Sequence, residues 1–282
     1  MKHNTSIVKT ILKIVTYVIC IFLALLSILP FWIMLMNATR GTFEIQQHAI
    51  SFLPSKYLMS NLQVLLGKSF NPFKGFMNSM IISVGATTCA VYFSSLTAYA
   101  LIVYDWRMRQ AFFTFILAIM MIPAQVTSIG FYQLMYSVGM TNNFLPLILP
   151  TIASPITVFF MRQYLLSSLQ IDIVNSARID GAGEFHIFNS IIMPIMKPAI
   201  ATQAIFTFVA TWNNLFMPLI LLTDKDKYTM PIMVSLLRGD IYKTEFGSVY
   251  LGLSLTVLPL IIVYFLLSKY IIAGVALGGV KE

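Results

Sequence analysis

Charge is what this sequence has least of. Only 10% of its 282 residues are Asp, Glu, Lys or Arg, against ~25% in ordinary soluble domains. The apolar fraction is 58%, more than one soluble core of this length can bury. The shortage of charge is also uneven. Six apolar runs, roughly Ile14–Met36, Phe76–Tyr104, Ala111–Tyr136, Phe144–Met161, Ala199–Leu222 and Val249–Ser268, contain no Asp, Glu, Lys, Arg or His. Such groups inside hydrocarbon are costly and mark proton relays, ion sites and catalytic centres. Their absence argues against a proton-coupled secondary carrier. It also argues against an intramembrane hydrolase, which needs a base beside a nucleophile, a carboxylate pair or a metal cluster.

Other absences narrow the field further. The two cysteines, Cys20 and Cys89, lie inside apolar runs, where thiols behave as small packing residues. The three histidines, His3, His48 and His186, are far apart and lack metal-ligand spacing, so no metal site is expected. There is no Gly-rich loop ending in Lys-Ser/Thr, the element that cradles nucleotide phosphates; the chain cannot hydrolyse ATP by itself. The net charge is +8, but the cations are scattered between runs and form no basic stripe interleaved with aromatics. They suit anchoring to anionic lipid rather than nucleic-acid binding. No tandem repeat or low-complexity tract is visible.

What is present is length. About 20 apolar residues in a helix cross the ~30 Å hydrocarbon layer. The runs therefore predict an all-α membrane protein of six transmembrane helices, one permeation-type domain over residues 1–282. Lys2, Lys9 and Lys13 precede the first run, whose apolar core exceeds the ~7–15 residues of a signal peptide. It reads as an uncleaved anchor. Six spans then place both termini in the cytoplasm, with large outer segments at 37–75 and 223–248. Lys and Arg number ten inside and eight outside on this assignment. The basic N-terminus and the Arg107/Arg109 pair favour it.

Neutral polar groups do occur in the spans: Asn78, Ser79, Gln125, Gln203 and Trp212-Asn213-Asn214. Two uses stay open for each, contact with an uncharged polar solute or hydrogen bonding between helices. Pro123, Pro146, Pro150, Pro155, Pro218 and Pro259 punctuate the later runs. Each removes a backbone donor and bends its helix.

Between the fourth and fifth runs lies a polar bridge, residues 162–198. Ile173–Ile179 suits a short helix that Asp180-Gly181 stops, since glycine takes the left-handed conformation closing a helix end. Ala182 and Gly183 leave room for another backbone. A second helix is expected over Glu184–Met193, with Phe185, Ile187, Phe188, Ile191 and Ile192 as its apolar stripe. Pro194 and Pro198 interrupt it before the fifth span. The result is a helix–turn–helix knuckle that can enter a partner's cleft.

The stretch Asn175-Ser176-Ala177-Arg178-Ile179-Asp180-Gly181-Ala182-Gly183, with Pro194 at its fixed distance, resembles the "EAA" signature of ABC importer permeases, and most closely those of the carbohydrate (maltose and multiple-sugar) type. Leu53-Pro54-Ser55-Lys56-Tyr57 with Asn61-Leu62, Asn78-Ser79, Ala98-Tyr99-Ala100-Leu101, Thr211–Leu219 and Gly274–Lys281 resemble further stretches of that family. Asn175 stands where the signature has Glu, Ser176 where it has its first Ala, and Met193 where Leu precedes Pro.

The resemblance implies a type I importer fold in the bacterial-type plasma membrane. It implies a second homologous permease, two ATP-binding subunits that hold ATP and Mg, and an extracytoplasmic solute-binding protein. Asn175, Ser176, Ala177, Asp180, Gly181, Ala182, Gly183 and Pro194 would couple to the ATPases. Trp212, Asn213, Asn214, Asn78 and Gln125 would border the solute pathway, and residues 224–246 would reach the binding protein. A polyol or glycerol phosphate ester is the alternative to a sugar.

Overall fold

A computed structural model describes residues 2–67, 71–237 and 245–279. The regular elements of the described residues are all helical, with no strand among them. In chain order the helices are α1 (Lys2–Ala38), α2 (Thr42–Gln47), α3 (Leu58–Gly67), α4 (Pro72–Val103), α5 (Arg109–Ile119), α6 (Ala124–Ser137) and α7 (Leu145–Ile148). There follow α8 (Pro155–Ser168), α9 (Ile171–Ile179), α10 (Glu184–Ile195), α11 (Lys197–Trp212), α12 (Phe216–Leu221), α13 (Met230–Leu236) and α14 (Phe246–Gly279). They form two compact units, one of residues 1–70 and 234–257, the other of 71–233 and 258–282.

Four of the six expected spans, Lys9–Ala38, Pro72–Val103, Leu145–Ser168 and Phe246–Leu266, are long and apolar enough to cross a bilayer, the stretch Leu145–Ser168 passing from α7 through a 3-10 turn and a break at Ala153–Ser154 into α8. The third and fifth runs are interrupted. The third was expected to be one kinked helix, but it stops at Ile119 and restarts at Ala124. Pro123 has no N–H to bond the Ile119 carbonyl, and it drives the preceding residue away from helical angles. The fifth stops at Trp212 and resumes at Phe216. There the Asn214 Oδ1 accepts the Met217 N–H at 3.3 Å and serves as the new start. Backbone broken within a membrane span is tolerated where protein or a cavity satisfies it.

In the first unit α1 keeps its apolar side chains outward; Ile14, Val18, Leu25 and Phe22 are all exposed, the pattern of a lipid-facing span. At its end the chain folds into a polar clamp. Buried Arg40 donates to Asn37 Oδ1 (3.0 Å) and to the carbonyls of His48 (2.7 Å) and Glu44 (2.9 Å). Asn61 donates to the Ala38 (2.8 Å) and Arg40 (2.9 Å) carbonyls. Gly247, in the first turn of α14, lies so close to the Arg40 carbonyl and the Asn61 amide that a Cβ there would overlap both. This gives the Leu53–Leu62 stretch a structural role.

The second unit is organised on α4. Asn71 caps it by accepting the Lys74 N–H at 3.0 Å, and Pro72 sits in its first turn. Ser79, Ser83, Ala86, Ala90 and Ser94 recur at helical spacing and are all buried. Small residues let helix backbones approach closely where lipid offers no hydrophobic drive. Accordingly, Thr151 Oγ1 donates to the Ala86 carbonyl at 2.9 Å, and Gly85 takes Ile148 against its Cα. The lower core joins α4 (Val91, Ala98, Tyr99) to α8 (Met161, Leu165), α9 (Val174, Ala177), α10 (Ile187, Phe188, Ile192) and α11 (Ala199).

Candidate functional site

The polar bridge folds as the knuckle its residues dictate, with three corrections. First, α9 starts at Ile171, two residues earlier than expected, and ends at Ile179 with Asp180 as its cap, after which Gly181 takes φ +82°. The Ala182 N–H then bonds the Ala177 carbonyl at 3.0 Å, closing the turn. Second, α10 is not a regular helix. Phe188–Ile192 is a π-turn in which the Met193 N–H reaches the Phe188 carbonyl. The widening accommodates Pro194, whose ring would otherwise strike the carbonyl four residues back. Pro194 therefore does not end α10; the break comes at Met196, where the chain bends by 80° into α11. Third, Phe185 is not on the inner stripe. Ile187, Phe188 and Ile192 are buried, Ile191 is partly so, and Phe185 is 73% exposed.

The outer face of the knuckle is thus apolar at two points. Ile179 is 86% exposed and Phe185 73%, one on each side of the turn. Between them Gly181 and Gly183 have no neighbouring atom where a Cβ would stand. Asn175, Ser176 and Asp180 are exposed beside them, as is Pro194, and Ala182 is half-buried. Ala177 differs: it faces the core against which α9 rests, so it seats the knuckle rather than presenting a surface.

Behind the turn is a polar cluster that sequence reasoning missed. The Glu184 carboxylate accepts from Arg178 Nε (2.6 Å), Tyr104 Oη (2.6 Å) and Tyr99 Oη (2.8 Å). Arg178 also stacks on the Tyr104 ring at 5.5 Å. The Arg178 and Tyr104 hydrogen bonds hold the Glu184 carboxyl down at about 2, and the same carboxylate raises the Arg178 guanidinium. The only sequence signal was an Arg and a Glu six residues apart across a predicted turn. Nothing local pointed to the tyrosines.

The residues expected along a solute pathway separate. Trp212 is 1% exposed and packs on Phe76 (5.8 Å) and Phe208 (5.6 Å), within the helix interface. Asn78 donates to the Asp226 and Tyr228 carbonyls at 2.9 Å each. Together with the Lys74–Asp226 ion pair (2.7 Å) and the Met230 N–H on Ser79 Oγ (2.9 Å), it pins residues 226–230 onto the start of α4. Asn142, at φ 56°, adds bonds from the Thr223 and Asp224 amides.

Asn213 is exposed, and so is Gln125 at the start of α6. Asn214 lines a cleft of about 340 Å³ with Thr127, Ser128, Phe131, Pro150 and Met217. Residues 238–244 of the outer segment, and Val280 and Lys281 of the tail, lie outside the described residues.

Residues 90–276 match the family described as binding-protein-dependent transport system inner membrane component. The arabinooligosaccharides transport system permease protein AraQ of Halalkalibacterium halodurans is 33% identical, covering 100% of both chains. The lactose transport system permease protein LacG of Rhizobium radiobacter is 30% identical over 98% of this chain and 99% of its own. Among solved structures, a chain of a bacterial ABC transporter involved in the import of the acidic polysaccharide alginate superposes with a TM-score of 0.77 at 23% identity, covering 93% of this chain and 97% of that one. The exposed turn on a multi-pass helical body, and a family match that includes it, make this chain a member of the binding-protein-dependent transport system inner membrane components, the permeases of ABC importers.

Proposed function

We propose that the chain is half of the translocation pathway of an ATP-driven sugar importer, working with a second, homologous permease. Two ATP-binding subunits, which hold ATP and Mg, dock on the knuckle from the cytoplasm, where both termini also lie. An extracytoplasmic binding protein delivers the solute to the opposite face. The observation that carries this reading is the turn at Gly181. It presents bare backbone between two exposed apolar side chains, Ile179 and Phe185, on a multi-pass helical body. A surface of that kind is covered in the working state.

The carbohydrate class is supported by the relatives' transport of arabinooligosaccharides and lactose. It is also supported by the cleft, which is uncharged and sets the polar groups of Thr127, Ser128 and Asn214 and the Phe131 ring among the apolar Pro146, Leu147, Pro150 and Met217. A phosphate ester would call for Arg or Lys, which the lining lacks; the polyol alternative shares the hydroxyl chemistry. The test is uptake into vesicles holding the chain with its partner permease, ATPase subunits and binding protein, offered arabinooligosaccharide, lactose, glycerol and glycerol 3-phosphate in parallel. Sugar uptake that requires ATP is expected. Uptake that is independent of ATP, or confined to the phosphate ester, refutes the reading.

A further inference from the structure

We infer that Glu184 is a positioning residue that makes the knuckle and α4 one mechanical piece, so that α4 acts as a connecting rod from the cytoplasmic turn to the outer segment 226–230. The inference rests on the reading of the chain as an ATP-driven permease and adds a second line of transmission beside the α10–α11 bend.

Asp180 to Gly183, with two glycines, joins α9 to α10 and would by itself be a hinge. The Glu184 carboxylate spans it. One oxygen takes Arg178 Nε from the last turn of α9, and the other takes Tyr99 and Tyr104 from the end of α4. Three helices are therefore fastened at one side chain by charge-assisted bonds, the strong and directional kind. The fastening has firm backing, because the Tyr99 ring is buried against Phe188 at 5.7 Å, and Tyr92, a further two turns up α4, donates to Asn189 Oδ1 of α10 at 3.3 Å.

At its other end α4 holds the outer segment just as firmly. Lys74 pairs with Asp226, Asn78 holds the carbonyls of Asp226 and Tyr228, and Ser79 takes the Met230 amide. Between the two sets of bonds runs one helix without a proline after its first turn, about 45–50 Å long at 1.5 Å per residue. A displacement imposed on the turn is carried by such a rod to residues 226–230 without passing through the broken fifth run.

The experiment uses the whole assembly in vesicles, with Cys20→Ser and Cys89→Ser removing the native thiols and Lys225→Cys supplying an outer-face probe. Two readouts are taken, solute moved per ATP hydrolysed and the change in labelling of the probe when ATP is added. Glu184→Gln is expected to keep hydrolysis, to lower solute moved per ATP by roughly 2- to 30-fold, the range for breaking one coupling contact, and to flatten the ATP-dependent labelling change. Tyr104→Phe, which removes one hydroxyl and leaves the ion pair, is expected to do the same more mildly. Should Glu184→Gln fail to assemble with the ATPase subunits, Tyr104→Phe decides alone on the same readouts. A native ratio together with native labelling in the variants that assemble overturns the inference. A native chain that shows no ATP-dependent uptake overturns instead the functional reading on which it rests.

Discussion

Gly181 shows what one residue contributes. Its φ of +82° lies where a side chain costs roughly 1–2 kcal/mol, and no atom nearby would be struck by a Cβ. Gly181→Val is therefore expected to leave the protein folded, with thermal stability only modestly lowered, while separating ATP hydrolysis from uptake by the assembled complex. Equal coupling in the variant and the native chain would remove the turn from the docking surface. Glu184 makes a different kind of prediction. Its carboxyl is held at about 2 against an ordinary 4.5. A depressed carboxyl contributes stability that is complete above the unfolded value and is lost as pH falls through the folded one. Thermal melts should thus show no contribution from this group to pH dependence between pH 6 and 8. The advantage of the native chain over Glu184→Gln should shrink below pH ~4.5 and vanish near pH ~2.

Elements make their own predictions. Asn78 was a candidate for the solute pathway because a lone amide in an apolar run admits that use. The structure spends both of its donor hydrogens on the backbone of residues 226 and 228. Asn78→Ala should cost about 1–3 kcal/mol of stability, the penalty for leaving partly buried partners unmet, and should not alter which sugars compete for uptake. A changed competition profile at native stability would return Asn78 to the pathway. Asn214→Leu is the converse. It removes a cleft-lining amide that also begins α12, and it should raise the sugar concentration needed for half-maximal uptake while ATP hydrolysis by the complex persists. In the first unit, Gly247→Ala pushes a methyl into the Arg40 carbonyl and Asn61. It should destabilise by about 1–3 kcal/mol, the usual cost of overpacking a tight contact, as seen in the thermal melt of the purified chain.

On the scale of the whole molecule, the proposed docking surface is the exposed pair Ile179 and Phe185. Replacing both by Glu should stop the ATPase subunits from co-purifying with the permease, while the second permease still does. Retention of the ATPases would move the docking surface elsewhere. Family membership accounts for the body as an inner membrane transport component.

The sequence by itself determined the elements whose cause is local or solvent-driven. Runs without charge had to lie in lipid, because no other solvent accepts them, and Asp180-Gly181 had to end a helix, because only glycine enters that conformation freely. Motif spacing likewise carried the likeness to importer permeases. Only the tertiary structure decided what depends on neighbours remote along the chain. It set Trp212 into the interface with Phe76, gave Asn78 to the segment at Asp226–Tyr228, widened α10 ahead of Pro194, and brought Tyr99 and Tyr104 to a carboxylate some 80 residues later. A hydrogen bond reports distance in space, and folding alone makes distant residues neighbours.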